Sequence, residues 1–296
     1  VLLTVATALS TLALAAQIDT TVTVARGQRL EANAFGGEIH VTMWNRNAVR
    51  VQANPTSRTE VVVSTSGSTV SVRTEGRRGP ASAVDLAITV PSWMSLDLSG
   101  VYTDVKVEGT RGPVTVETVQ GDVSVSGGDG IVSLSSVQGS VDLRGARGRI
   151  DVHSVNEDVA VSETSGEIRA ESVNGEVKLE KVDATSLDAS TVNGDVTYDG
   201  PIHDGGRYSL SSHNGDLTLA VAPTANAVVS VSTFSGDFES EFPVTLTNGR
   251  KGKRFDFTLG KGGAQVELES FQGTIRLVRP GSTSMRNRDR DEDDGN

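Results

Sequence analysis

Short runs of alternating apolar and polar residues, most of them introduced by a glycine, fill the greater part of the chain. If the residue ahead of each run is called its anchor, anchors fall at Met94, Thr103, Gly112, Gly121, Gly130, Gly139, Gly148, Glu157, Gly166 and Gly175, nine residues apart. They continue through Thr185, Gly194, Gly206, Gly215, Ala227, Gly236, Lys253, Ala264 and Gly273, with occasional extra residues. The second and fourth positions after each anchor are apolar or aromatic, from Leu96 and Leu98 to Ile275 and Leu277, and Ser240 is the single polar break. A period of two in Val- and Ile-rich segments belongs to a strand with one buried face and excludes helix.

Alternate units differ. The triplet Ser/Thr–Val/His/Phe–Gln/Asn/Ser precedes Gly121, Gly139, Gly175, Gly194, Gly215 and Gly236 but not Gly112, Gly130 or Gly148, so the full repeat is eighteen residues, two strands and two turns. One layer of such strands would leave an apolar face in water, whereas two facing sheets bury both faces. The pattern therefore predicts an all-β fold, a two-sheet parallel β-solenoid of the β-helix or β-roll kind over residues 92–280. With roughly nine coils at about 4.8 Å each, the rod is expected to be on the order of 45 Å long. Strand-like runs at Ile39 to Val41, Val49 to Val51, Val61 to Val63, Val70 to Val72 and Val84 to Val90 are less even, and predict an irregular β cap over residues 17–91. Past Gly194 the units lengthen, and Tyr198, Tyr208, Phe234, Phe238, Phe255, Phe257 and Phe271 are expected to fill a wider interior.

The ends read differently. Residues 1–16 carry no charge and include the small-x-small sequence Ala13-Leu14-Ala15, which predicts a signal peptide and export to the periplasm or cell surface. Residues 281–296 set Arg286, Arg288 and Arg290 among Asp289, Asp291, Glu292, Asp293 and Asp294, with almost nothing apolar, and predict a disordered, solvated tail. No apolar segment after residue 16 is long enough to predict a transmembrane anchor in the mature chain. A net charge of −11 excludes nucleic acid as the main partner, because affinity there comes from Lys and Arg neutralising phosphates. The absence of cysteine removes disulfides, thiolate nucleophiles and thiolate metal sites.

The segment Phe35-Gly36-Gly37-Glu38-Ile39-His40-Val41, followed by Met43-Trp44-Asn45, Val49-Arg50-Val51 and Val84 to Pro91, leads into repeated Val-Gln-Gly-Asp-Val and Val-Asn-Gly-Glu-Val units. Together these resemble the bacterial exported β-strand-repeat family catalogued as candidate adhesins of unknown function. The resemblance implies a solenoid-like domain outside the cytoplasm, and it brings no catalytic residues with it.

Stacked coils turn equivalent positions into columns. The residue after alternate anchors gives Asp122, Ser140, Asp158, Glu176, Asp195, Asp216 and Asp237, nearly all acidic. Carboxylates about 5 Å apart repel by about 1 kcal/mol at high dielectric. A Ca²⁺ ion would relieve this, making Asp122, Asp158, Glu176, Asp195, Asp216 and Asp237 the candidate metal ligands. The simpler reading, carboxylates that bond nearby backbone N–H groups and face water, is favoured, and no cofactor is expected. Only Gly127-Gly128-Asp129-Gly130 approaches a calcium-roll motif. A second column, Gln120, Gln138, Asn156, Asn174, Asn193 and Asn214, predicts an amide ladder. His40, His153, His203 and His213 show no metal-ligand spacing, and Asp151, Arg169 and Asp188 are expected to neutralise one another across strands. The sequence thus predicts a non-enzymatic, adhesin-like interaction module of the cell envelope whose partner is a surface protein or glycan. A polysaccharide-cleaving β-helix and a purely structural spacer rod are the alternatives.

Overall fold

The computed structural model describes residues 17–244 and 253–281. Residues 1–16, expected to be a signal peptide, and all but the first residue of the charged tail lie outside the described residues.

From Ser95 to Ala220 the chain is the solenoid that the nine-residue period requires. Strands Val114–Gln120, Asp129–Gln138, Arg147–Ser154, Ser165–Glu171, Asp183–Asn193 and Arg207–Asn214 stack in parallel as one sheet. Strands Val123–Gly127, Val141–Arg144, Val159–Ser162, Val177–Glu180, Val196–Asp199 and Leu217–Ala220 stack as the other. The registers are in phase, Val123 beside Val141 and Val141 beside Val159, so like residues lie above like. Second and fourth positions face inward throughout: Val123, Val125, Val141, Leu143, Ile150 and Val152 are all at most 2% exposed. The two sheets are physically continuous at the start, where Arg29–Trp44 and Ser95–Thr110 bend through the corner and pair along both halves.

Both ends depart from simple sequential stacking. Arg29–Trp44 lies between Ser95–Thr110 on one side and Thr69–Gly76 with Leu86–Pro91 on the other, all parallel. Thr59–Ser66, Ala48–Ala53 and Ile18–Thr23 then close the cap as antiparallel strands. At the far end, Ala264–Gln272 and Ile275–Val278 stack directly on Arg207–Asn214 and Leu217–Ala220. The earlier segments Ala227–Thr233 and Phe238–Ser240 lie outside them, and Lys253–Leu259 covers the first of these as an antiparallel edge. The last coil in sequence is therefore not the last in space.

A physical reason is visible in the inward positions. Val266, Leu268, Ile275 and Leu277 are apolar and buried, which suits a coil covered on both sides. The coil 227–240 carries Ser240 at an inward position, and at the sheet edge its Oγ donates to the Phe242 carbonyl at 3.0 Å and accepts from the Phe242 N–H at 3.1 Å. Buried without partners, the same hydroxyl would cost about 1–3 kcal/mol.

The aromatic residues also divide. Tyr198, Tyr208 and Phe257 are buried, and Phe238 and Phe255 pack against the core. The Tyr198 hydroxyl donates to the Pro201 carbonyl at 2.9 Å, and the Tyr208 hydroxyl to the Ala184 carbonyl at 2.7 Å, so neither buried phenol is left unpaired. Phe234 and Phe271, expected inside, point out at 73% and 39% exposure. They occupy the middle of the triplet ahead of the glycine, a position that is exposed or half-buried at every coil.

Candidate interaction surface

The triplet and its glycine build one corner of the rod, and each position has its own task. The first residue turns inward: Thr118, Ser136, Ser154, Ser172, Thr191 and Ser212 are buried. Each hydroxyl donates to the anchor carbonyl of the preceding coil, as Ser136 to Gly121 at 3.0 Å, Ser154 to Gly139 at 3.0 Å and Ser212 to Gly194 at 2.8 Å. A short hydroxyl therefore satisfies a corner carbonyl that the sheet ladder leaves behind.

Closeness accounts for the glycine, although Glu157 holds the equivalent position in its own coil. A Cβ at Gly139 would lie 2.0 Å from the Gly121 oxygen, and one at Gly194 would lie 2.2 Å from the Gly175 oxygen. The Gln/Asn column between forms the predicted ladder over its later part. Asn174 Nδ2 donates to Asn156 Oδ1 at 3.1 Å, Asn193 to Asn174 at 2.9 Å and Asn214 to Asn193 at 2.8 Å. Gln138 sits in register with Gln120 ahead of it.

The middle residue points to water. Val119, Val137 and Val192 are 49%, 40% and 43% exposed, and Val155 and Val173 are half-buried between them. The column extends past the valines in both directions. At one end Phe35 and Val101 continue it, with Phe35 edge-on to Tyr102 at 5.6 Å. At the other, His213 stacks on Phe271 at 4.6 Å, and Phe271 on Phe234 at 4.7 Å with rings 2° from parallel. Sequence reasoning recognised the Val/His/Phe position but did not read it as a surface, and it missed Phe35 and Tyr102. The signal was available: these apolar residues sit out of phase with the inward positions.

The acidic column runs beside this corner and is spent largely on the backbone. Asp104 Oδ1 accepts the Asp122 N–H at 2.9 Å, Asp122 the Ser140 N–H at 2.8 Å, Asp158 the Glu176 N–H at 2.7 Å and Asp195 the Asp216 N–H at 2.8 Å. Each carboxylate thus caps the next coil, not a neighbour in its own turn. Asp104 belongs to the column although its anchor is Thr103. Asp216 and Asp237, neighbours by sequence pattern, are separated by Thr274, whose N–H bonds Asp216 Oδ1 at 2.7 Å, because the C-terminal coil is threaded between them. Asp216 also pairs with Arg276, which reaches Glu239 at 3.2 Å. Glu176 is half-buried; burial chiefly holds its carboxyl above the ordinary range, Lys178 pulls it back, and Asp195 and Asp158 push it up again. Among the described residues, no three His, Asp or Glu side chains converge as metal ligands.

The remaining candidates are dispersed. Asp151, Arg169 and Asp188 are in register on successive strands, but Arg169 donates to Glu171 on its own strand at 2.9 and 2.6 Å. His40 lies 3.6 Å from Glu108, and His203 pairs with Asp183. Gly127, Gly128 and Gly130 adopt φ values of 90°, 113° and 91° at the opposite corner, where they serve the turn.

What the geometry defines is a two-sheet β-solenoid with a patterned corner. The chain belongs to the Toastrack DUF4097 family, whose profile matches residues 14–278. No curated protein matches it. Solved structures similar to it include a candidate cell adhesion protein from Clostridium sporogenes, 9% identical, covering 89% of this chain and 99% of that one at a TM-score of 0.23. A candidate adhesin from Parabacteroides distasonis is 10% identical over 89% of this chain and 97% of that one, TM-score 0.33. Another from Parabacteroides merdae is 13% identical over 89% and 96%, TM-score 0.28.

Proposed function

We propose that this protein is an exported, non-enzymatic, adhesin-like module of the bacterial cell envelope, which binds its partner along the patterned corner. The observation that carries the reading is the outward column from Phe35 through the valines to Phe234, apolar except at His213 and exposed except where Val155 and Val173 are half-buried, flanked over part of its length by an amide ladder. Soluble proteins rarely leave contiguous apolar surface in water unless something covers it. Catalysis needs unlike groups converging at one point, whereas this corner repeats like groups along a line, the arrangement that suits multivalent weak contacts. The uncharged segment 1–16 supports export.

The experiment shortens the column. Deleting residues 121–156, two whole repeats, joins Gln120 to Glu157 with the strand register kept. The fluorescently labelled parent should bind bacterial envelopes or cell surfaces saturably, and the shortened rod should bind several-fold more weakly at a similar melting temperature. Equal binding by the two, or release of reducing sugar ends from acidic polysaccharides by the parent, would overturn the proposal.

A further inference from the structure

We infer that the corner docks a cationic amphipathic helix, its apolar stripe on the valine column and its Lys or Arg side chains on the carboxylates alongside. The inference rests on the interaction-module reading and names the partner chemistry. Two observations fix the occupant. The first is the pairing of stripes: in most coils of the valine column the outward valine, the amide, the anchor and a carboxylate are consecutive, as in Val119, Gln120, Gly121 and Asp122, with Ser140 standing in for the carboxylate after Val137 and Glu157 for the glycine after Val155. Three residues span at most about 10 Å even when fully extended, so across the corner the two stripes lie within the ~10 Å width of a helix. The second is charge. Residues 92–199, which hold the valine part of the column, contain 8 Lys and Arg against 19 Asp and Glu, whereas residues 200–281 balance at 8 and 8. The apolar surface is thus bordered by the most acidic part of the molecule, which disfavours a second copy of this chain and favours a cationic partner.

The carboxylates remain available to such a partner. The hydrogen bonds from backbone N–H groups go to Oδ1 of Asp122, Asp158 and Asp195, which leaves Oδ2 to meet a cation. Gly139 keeps the floor low between the amides Gln120, Gln138 and Asn156 and the carboxylate Asp122, in a shallow groove that Ser140 and Glu157 also line. A helix of about 18 residues is about 27 Å long and would cover five or six coils at about 4.8 Å each.

The test uses the full chain and two synthetic peptides of that length, an amphipathic Leu/Lys helix and its Leu/Glu counterpart, with binding read by fluorescence anisotropy. The Leu/Lys peptide is expected to bind with a micromolar Kd that weakens with salt. Binding should fall at least tenfold in Val119→Ser/Val137→Ser/Val173→Ser, and likewise in Asp122→Asn/Asp158→Asn/Asp195→Asn, whose Asn oxygens can still accept the backbone bonds. Should the Ser variant melt early, the near-isosteric Val→Thr set replaces it. Equal binding of the Leu/Glu peptide, or unchanged binding by the Ser and Thr sets, would overturn the inference. So would a concentration-dependent dimer of the parent that the Ser or Thr set abolishes, because a second copy would then occupy the corner. Envelope binding that persists without peptide binding would refute this inference while leaving the proposed function standing.

Discussion

Individual side chains show where the repeat is imperfect, and those places yield the sharpest stability predictions. Thr164 is buried and its Oγ1 has no hydrogen-bond partner, while Ala146 and Val182 fill the equivalent positions of the coils on either side. Thr164→Val should raise stability by about 1 kcal/mol in denaturant melts, because an unpaired hydroxyl is exchanged for a methyl group. Lys181 holds φ at 54°, in the left-handed region, where the equivalent earlier residue Gly145 has φ 72°. Lys181→Gly should therefore stabilise by about 1 kcal/mol, the approximate cost of that conformation for a residue with a Cβ. The raised pKa of Glu176 means that its folded site prefers the protonated acid. Relative to Glu176→Gln, the parent should be less stable at neutral pH. The deficit should fade as pH drops through the raised folded pKa and be gone below the unfolded value. A deficit that instead widens on acidification would mean that the carboxylate is stabilised in place.

Strands and their inward faces were legible in the sequence because a period of two repeated every nine residues has one structural solution. The corner was legible only in part. Its Ser/Thr–x–Asn–Gly signature stood out, but the reason for each residue lies in the coil below: a carbonyl for the hydroxyl, an amide for the amide, a backbone too near for a Cβ. Such cross-coil reasons cannot be read along one line of sequence. The glycine is the most demanding of the four. Gly139→Ala places a methyl where the Gly121 oxygen already lies 2.0 Å away, and should cost about 3 kcal/mol or more in thermal or urea melts. Asn193→Ala, which breaks the amide ladder on an exposed surface, should cost no more than about 1 kcal/mol. If the two losses were equal, the closeness of the coils would not be what selects glycine. The aromatic residues Phe234 and Phe271 were misassigned for a related reason: size suggested burial, whereas their phase, one residue past the buried Thr233 and Ser270, points them outward.

Taken whole, the rod is closed at each end by threading a coil between two others. Sequence order alone implies simple stacking, and only the polar Ser240 at an inward position hinted that its coil belongs at an edge. Hydrogen exchange reports this directly. Amides of Ala264–Gln272, although near the C-terminus, should be protected like the central coils, whereas the edge strand Lys253–Leu259 should exchange faster. Along the same rod run two parallel stripes with different duties. Carboxylates staple one coil to the next, and the apolar corner beside them is, on the proposed function, where a partner binds. The separation of those duties is tested most directly by comparing envelope binding of Val119→Ser/Val137→Ser/Val192→Ser with that of the parent, melting temperatures being measured in parallel. The account predicts binding reduced severalfold or more at nearly unchanged melting temperature. Full binding by the serine variant at parental stability would contradict it.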